Sequence, residues 1–90
     1  MTALRNFTTV RFAFQIPHPV MKISVFLWNG KYLIELEWMS YKQSFKISED
    51  AVSGEQDIQR LCSQDFLSAA LNRFADMHQS FKSTYELSKG

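Results

Sequence analysis

The dipeptide Asn29-Gly30 lies between two segments in which apolar and polar residues alternate. Both central residues of a type I′ turn need positive φ, which asparagine and glycine tolerate best, so the pair predicts a two-residue β-hairpin. Such a turn pairs Trp28 with Lys31 and sets apolar residues against each other along one face of the hairpin. A slip of one residue would place lysine and glutamate in the core. The strands over residues 21–28 and 31–39 are therefore strongly specified.

Two more segments alternate in the same way and extend the hairpin into a sheet. A first strand is predicted over residues 7–16, with Val10, Phe12, Phe14 and Ile16 on its apolar face. Prolines 17 and 19 end it, and a four-residue loop over 17–20 would set Ile16 opposite Met21 and Phe12 opposite Val25. A fourth strand is predicted over residues 41–48. It follows a turn at Met39-Ser40 that is either two residues long or, since it lacks glycine and asparagine, longer.

The rest of the chain predicts one long helix over about residues 64–87, with Ser63 as its N-cap. Its apolar stripe recurs at steps of three and four residues and comprises Leu67, Ala70, Leu71, Phe74, Met77, His78, Phe81 and Tyr85. Ser53 and Gln56 fit a capping box before a short helical turn over 57–62. The predicted fold is a single α+β domain over residues 1–90: a four-stranded antiparallel meander packed on one C-terminal helix.

Two surfaces of this fold are predicted to be apolar and uncovered. The helix would span roughly 34 Å and an eight-residue strand about 27 Å, so Phe81 and Tyr85 would extend beyond the sheet. On the face of the sheet away from the helix, the register sets Phe26 opposite Leu33 and next to Arg11, with Trp28 one step along. Each surface is a candidate contact site. The alternative interpretation of the sheet face is that its apolar residues are tolerated at the surface, where the aliphatic parts of lysine and arginine side chains cover them.

The sequence contains no phosphate-binding loop, nucleophile elbow or zinc-binding spacing, so we expect no enzyme activity, metal or cofactor. The one cysteine, Cys62, is interpreted as an inert core thiol. His78 is interpreted as a boundary residue that is hydrogen-bonded or half exposed, with an acid/base pair formed with Asp76 or a sheet tyrosine as the alternative. Glu35 and Glu37 share a strand face but have lysine partners, which favours salt bridges over a carboxylate pair for catalysis. Methionines 21, 39 and 77 are interpreted as packing residues.

These features favour a small non-catalytic interaction module that acts as a homodimer or higher oligomer. Its contact residues would be Phe26, Trp28 and Leu33, or Phe81 and Tyr85.

The first alternative is single-stranded nucleic-acid binding on the aromatic sheet face, with Arg11 near the phosphates. In element order, four strands and a helix, the chain is similar to the subunits of Pur-repeat and Whirly single-strand-binding proteins, a plan that implies this function. The net charge of +1 weighs against it.

The second alternative is a small-molecule pocket between helix and sheet, into which Gln43 or His78 would point.

The expected location is the cytoplasm, because nothing in the chain requires an oxidising compartment and the longest apolar runs are far too short to span a bilayer. The first 34 residues contain four basic and no acidic residues, as a transit peptide would. Transit peptides are amphipathic at the helical period, whereas apolar and polar residues alternate at every second position here, so we expect no cleavable targeting segment.

Overall fold

The computed structural model describes residues 10–89, which form an antiparallel sheet followed by helices. The elements in chain order are β1 (Arg11–Ile16), β2 (Lys22–Trp28), β3 (Lys31–Trp38), β4 (Tyr41–Ser48), a 3-10 turn (Glu49–Ala51), α1 (Glu55–Leu61) and α2 (Gln64–Lys89). The sheet is open, with strand order β1-β2-β3-β4. The predicted α+β class and the order of four strands before a long helix are confirmed. Residues 7–9, predicted to begin the first strand, lie outside the described residues.

The β2–β3 hairpin has the predicted turn and register. Asn29 and Gly30 have φ angles of 53° and 73°, as a type I′ turn requires. Trp28 pairs with Lys31, and the apolar pairs that follow include Val25 with Ile34. The alternation of the two strands therefore determines which face enters the core.

The turn between β3 and β4 has two residues, so the longer alternative is wrong. Trp38 pairs directly with Tyr41, and Ile34 lies opposite Phe45 as the shorter turn predicts. In place of glycine or asparagine, Met39 adopts the left-handed conformation with a φ of 54°. This conformation is rare for a non-glycine residue.

The predicted pairing of β1 with β2 is wrong by two residues. Ile16 pairs with Ile23 rather than Met21, so the connecting loop has six residues instead of four. The side chain of His18 explains the wider loop, because its Nδ1 atom accepts hydrogen bonds from the backbone N–H groups of Val20 (3.0 Å) and Met21 (3.1 Å). These two donors would otherwise lack strand partners.

A β-bulge at Ala13 reverses the alternation in the first half of β1. Phe14 pairs with Val25, but Phe12 pairs with Phe26, so Phe12 leaves the predicted apolar face and packs edge-on against Phe26 with ring centroids 5.8 Å apart. Arg11 lies opposite Leu27, on the helix-covered face. The prediction that Arg11 lies beside Phe26 is therefore wrong.

The core lies between the apolar face of the sheet and the two helices. Its most deeply buried side chains are Ile23, Val25, Leu36, Ile58 and Phe74, each at most 1% exposed. The contribution of Ile58 means that α1 closes one end of the core while α2 covers the rest. Both helices pack on this face of the sheet, so no helix within residues 10–89 covers the opposite face.

The two helices, α1 and α2, begin with different capping arrangements. Ser63 caps α2 as predicted, since its Oγ accepts a hydrogen bond from the Phe66 N–H at 3.3 Å. The capping box predicted for α1 is wrong: Gly54 is its N-cap and makes no side-chain bond. Instead the Asp57 carboxylate reaches back and accepts a hydrogen bond from the Ser53 N–H at 2.7 Å.

The long helix extends beyond the sheet, as the length comparison predicts. Its 26 residues span about 39 Å, whereas the eight residues of β4 span about 27 Å. All residues from 79 to 89 are exposed. We refer to residues 79–89 as the overhang; the described chain measures 49 × 38 × 20 Å.

Candidate functional site

The apolar stripe of α2 is buried along one part of the helix and exposed along the next. Leu67, Ala70 and Phe74 are at most 8% exposed. Phe81 and Tyr85, which continue the same stripe at helical spacing, are 60% and 53% exposed. The stripe therefore passes from core to surface without a change in residue type, which is unusual for a face that water alone contacts.

Aromatic contacts connect the exposed end of this stripe to the core. Trp38 lies 5.8 Å from Phe74 and 6.1 Å from Tyr41, measured between ring centroids. Tyr41 contacts Phe81 edge-on at 6.3 Å, and Phe81 stacks on Tyr85 at 6.2 Å. Phe81 thus contacts a ring on either side, Tyr41 and Tyr85, while 60% of it is exposed.

His78 lies where the sheet ends and the overhang begins. Its Nδ1 atom is 3.0 Å from the hydroxyl of Tyr41, and its ring is edge-on to both Trp38 and Tyr41. It is half-buried. His78 is therefore a hydrogen-bonded boundary residue, as predicted, and its partner is a sheet tyrosine, which is also the pair named in the alternative prediction. The bond joins α2 to the start of β4.

The turn residue Met39 adds a third apolar side chain beside the two exposed rings. It is 68% exposed and lines a shallow cleft of about 240 Å³ together with Ser40, Tyr41, His78, Phe81, Lys82 and Tyr85. We refer to Met39, Phe81 and Tyr85 as the overhang surface. The interpretation of Met39 as a packing residue is wrong, whereas Met21 is buried and Met77 packs against the core. The position of Met39 in a tight turn was the signal that would have indicated exposure.

The face of the sheet away from the helices is less exposed than the overhang surface. Phe26, Trp28 and Leu33 are each half-buried. The Nζ atom of Lys46 lies over the Trp28 ring, 5.4 Å from its centroid, and so covers part of it. The bulge brings Phe12, 58% exposed, onto this face and removes Arg11 from it. The face therefore gains an aromatic residue and loses the cation predicted to contact phosphates.

The carboxylates on the same face serve a structural purpose. An oxygen of Glu35 lies 3.4 Å from the Nζ atom of Lys42, which forms a salt bridge. Glu37 lies opposite Lys22 on one neighbouring strand and opposite Lys42 on the other in the register of the sheet. The bridge from Glu35 agrees with the prediction that lysine side chains pair with these carboxylates.

The polar residues considered for an interior pocket are instead satisfied by hydrogen bonds. The Gln43 side chain donates to the carbonyl of Ala70 (2.9 Å) and accepts from Nε of Arg73 (2.9 Å), which joins β4 to α2. The cleft between the sheet and α2, lined by Ile34, Phe45, Phe66 and their neighbours, measures about 180 Å³. Small-molecule sites are commonly about 300 Å³ or larger, so this geometry does not favour one.

The remaining candidates for chemistry do not come together. Cys62 is buried, and desolvation raises the pKa of its thiol, as expected of an inert core cysteine. It precedes α2, while His78 lies about 20 Å along that helix, so the two form no thiolate pair.

Within residues 10–89 there is no cluster of three histidine, cysteine or acidic side chains suited to a metal ion. Nor does that part of the chain contain a helix with the length and hydropathy needed to cross a membrane.

Comparison with protein-family models, curated proteins and solved structures finds no match for this chain.

Proposed function

We propose that this protein is a non-catalytic self-association module, and that two copies bind each other through the overhang surface. The observation that carries the proposal is the continuity of the α2 stripe, which is buried at Phe74 and more than half exposed at Phe81 and Tyr85. Contiguous exposed apolar side chains on a folded domain are typical of protein contact sites. A second copy is the common partner, because closed homo-oligomers dominate among soluble assemblies.

The overhang surface supports this role better than the open face of the sheet. Met39, Phe81 and Tyr85 are each more than half exposed, as is Phe12 on the open face. Phe26, Trp28 and Leu33 are half-buried, and Lys46 covers part of Trp28. Burial of the overhang surface would therefore remove more apolar area from water per side chain than burial of Phe26, Trp28 and Leu33. The open face of the sheet remains a prediction for a second contact.

The backbone at Met39 supports the same proposal independently. A methionine in the left-handed conformation costs free energy that asparagine or glycine would avoid, and the turn places this apolar side chain beside Phe81. Such strain is found at functional positions, where the side chain is needed for contact.

The buried cysteine and the absence of a disulfide within residues 10–89 fit the cytoplasmic location we propose for the module.

The test compares two glutamate substitutions on the same helix. We expect the wild type to dimerise with a Kd of about micromolar order, which is typical of a small interface, and Phe81→Glu to be a folded monomer. Leu87→Glu is the matched control: Leu87 is 82% exposed but lies on the opposite side of α2 from Tyr85. Sedimentation velocity over a range of protein concentrations measures the association, and circular dichroism checks the fold.

A wild type that stays monomeric at all concentrations would contradict the proposal. So would equal weakening by Phe81→Glu and Leu87→Glu, because that result would assign the effect to helix charge rather than to the overhang surface.

A further inference from the structure

We infer that the free edge of β4 binds an extended peptide that carries acidic residues on one face and apolar residues on the other. The peptide would add a fifth strand to the sheet, antiparallel to β4, with its carboxylates opposite Lys42 and Lys46. The site uses none of the residues of the overhang surface and does not depend on the proposed function. Strand addition to a sheet edge is a recurrent mode of peptide recognition, in which backbone hydrogen bonds supply affinity and alternate side chains supply specificity.

The edge formed by β4 is regular and unpaired within the described residues. β4 ends the strand order, and its eight pairs with β3 contain no register shift, unlike the bulged β1. The pair that closes the two-residue turn, Trp38 with Tyr41, is the hydrogen-bonded pair of a β-turn. Hydrogen-bonded pairs occupy every second position of an antiparallel ladder, so the backbone groups of the intervening residues point outward. These residues are Lys42, Ser44 and Lys46, and no backbone group of residues 10–89 outside the sheet bonds to them.

The apolar side of this edge is incompletely covered. Val25 and Ile34, on the core face of β2 and β3, are buried, whereas Phe45 and Ile47 on β4 are only half-buried. Leu61, at the end of α1, is 46% exposed beside them. These β4 side chains and Leu61 line the cleft of about 180 Å³, which is small for a ligand molecule but has room for an aliphatic side chain. A fifth strand would place every second side chain over this cleft.

The opposite side of the edge is basic. Lys42 and Lys46 are exposed on the open face of the sheet, and Lys46 forms no ion pair within residues 10–89. The bridge from Lys42 to Glu35 leaves its ammonium group further N–H donors for a second carboxylate. Arg73 of α2 adds a third cation, 6.0 Å from the centroid of the Phe45 ring. A strand with carboxylates opposite the two lysines therefore complements the charge of this edge.

The same lysines disfavour a second copy of β4 as the partner. Antiparallel pairing of two β4 edges would join the outward residues Lys42, Ser44 and Lys46 of one copy to those of the other. In every such register a lysine lies directly or diagonally opposite a lysine of the second copy, and like charges across a strand pair are destabilising. Edge lysines commonly prevent self-pairing in this way. The repulsion therefore gives the edge specificity for an acidic strand.

The positions of the lysines define the side chains of the partner. The sheet is antiparallel throughout, and antiparallel pairs are slightly more stable, so an antiparallel strand meets Lys46 before Lys42. Its acidic residues are then four positions apart, as the two lysines are. Apolar residues on either side of the first acidic residue lie opposite Ile47 and Phe45. A probe with this pattern is the peptide TIEVTTET, and the control peptide, with lysine for both glutamates, is TIKVTTKT.

Fluorescence anisotropy of the labelled peptides tests the charge complementarity. We expect the wild type to bind TIEVTTET about tenfold more tightly than TIKVTTKT, and the double variant Lys42→Glu/Lys46→Glu to prefer TIKVTTKT, because two attractive pairs become repulsive. The control variant Arg11→Glu/Lys89→Glu makes the same change of net charge at exposed positions on β1 and at the end of α2, and should keep the wild-type preference. A wild type that binds neither peptide, or both equally, would overturn the inference.

The variant Ser44→Pro tests whether binding uses the strand edge itself. The Ser44 N–H points outward, so proline removes this donor without breaking a bond to β3, and edge strands tolerate proline for this reason. Ser44→Pro should keep its fold by circular dichroism and bind TIEVTTET about tenfold more weakly, whereas Ser44→Ala should bind as the wild type does.

Hydrogen exchange of the wild type, measured by NMR, tests the edge without a substitution. The outward N–H groups of Lys42, Ser44 and Lys46 should exchange more slowly when TIEVTTET is bound, because the added strand accepts their hydrogen bonds. Unchanged exchange at all three would overturn strand addition even if Ser44→Pro does not fold. Wild-type binding by a folded Ser44→Pro would overturn it as well.

Discussion

Met39 is the residue at which local conformation and exposure are both unfavourable. Its φ of 54° places the Cβ atom of an L-amino acid close to the following carbonyl, and its side chain is 68% exposed. Neither the core nor the hydrogen bonds of the sheet require methionine at this position. The proposed contact with a second copy would account for both features, since a long flexible apolar side chain adapts well to an opposing surface.

Replacement of Met39 by asparagine is expected to separate stability from association. Met39→Asn should raise the free energy of unfolding of the monomer by about 1 kcal/mol, because asparagine tolerates the left-handed conformation better. It should also weaken the dimer, because the apolar contact is lost. Urea unfolding at low protein concentration measures the first effect and sedimentation the second.

The neighbouring substitution Ser40→Asn serves as the control, since Ser40 does not have a positive φ and should gain no stability. A Met39→Asn variant that unfolds more easily than the wild type would mean that the methionine side chain stabilises the monomer itself.

At the scale of elements, α1 depends on a charged group at its first turn. The Asp57 carboxylate accepts a hydrogen bond from the Ser53 N–H and contacts the Arg60 guanidinium. The bond from Ser53 lowers the pKa of Asp57, and the arginine adds to the effect. A carboxylate in the first turn also interacts favourably with the helix dipole.

The stability that Asp57 contributes is expected to depend on pH in the acid range. Because the folded state lowers the pKa below its unfolded value of about 3.8, the contribution is complete above that pH and disappears as the pH falls through the folded pKa. The wild type should therefore lose stability below about pH 4 more steeply than Asp57→Asn. Thermal unfolding at a series of pH values compares the two slopes, with Asp65→Asn as a control in the first turn of α2. Parallel curves for the wild type and Asp57→Asn would contradict the assignment.

The elements differ in how far their arrangement could be predicted from sequence. Asn29-Gly30 determines the register of β2 and β3 because its turn geometry admits one pairing. The register of β1 was not predictable in the same way. Phe12 and Phe14 are both apolar, so the sequence pattern does not show which of them faces the core. Neither the bulge at Ala13 nor the local hydrogen bonds of His18 in the following loop corresponds to a pattern in the sequence.

The candidate site could be predicted in part, for similar reasons. Phe81 and Tyr85 were found by comparing helix length with strand length, which uses only residue counts. The misplacement of Arg11 followed from the unrecognised bulge. Met39 was missed although its place in a two-residue turn indicates exposure, because only the structure shows its left-handed backbone and the cleft that it lines together with Phe81.

At the scale of the whole molecule, the core and the proposed contact use different parts of α2. Phe74 is the last fully buried residue of the helix, while residues 79–89 are all exposed. Within the described chain, an aromatic contact of Phe81 with Tyr41 joins the overhang to the sheet. The overhang is therefore expected to contribute little to the stability of the monomer.

A chain ending at Ser80 is therefore expected to fold and to be monomeric. Loss of the Phe81–Tyr41 contact should cost about 1 kcal/mol, which corresponds to a fall in Tm of less than about 10 °C for a domain of this size. Differential scanning calorimetry and sedimentation of the shortened chain measure the two properties. A shortened chain that is unfolded at room temperature would show that the overhang belongs to the folding unit, and one that still dimerises would assign the interface to another surface.

The bulge at Ala13 is expected to limit strand addition at one edge of the sheet. Within the described residues β1 is an edge strand of an open sheet, and an unbroken edge can recruit further chains by strand addition without limit. The extra residue interrupts the regular row of N–H and C=O groups on β1 and increases its twist. We therefore expect the β1 edge to be a poor template for amyloid-like growth, even though apolar rings are exposed elsewhere on the chain.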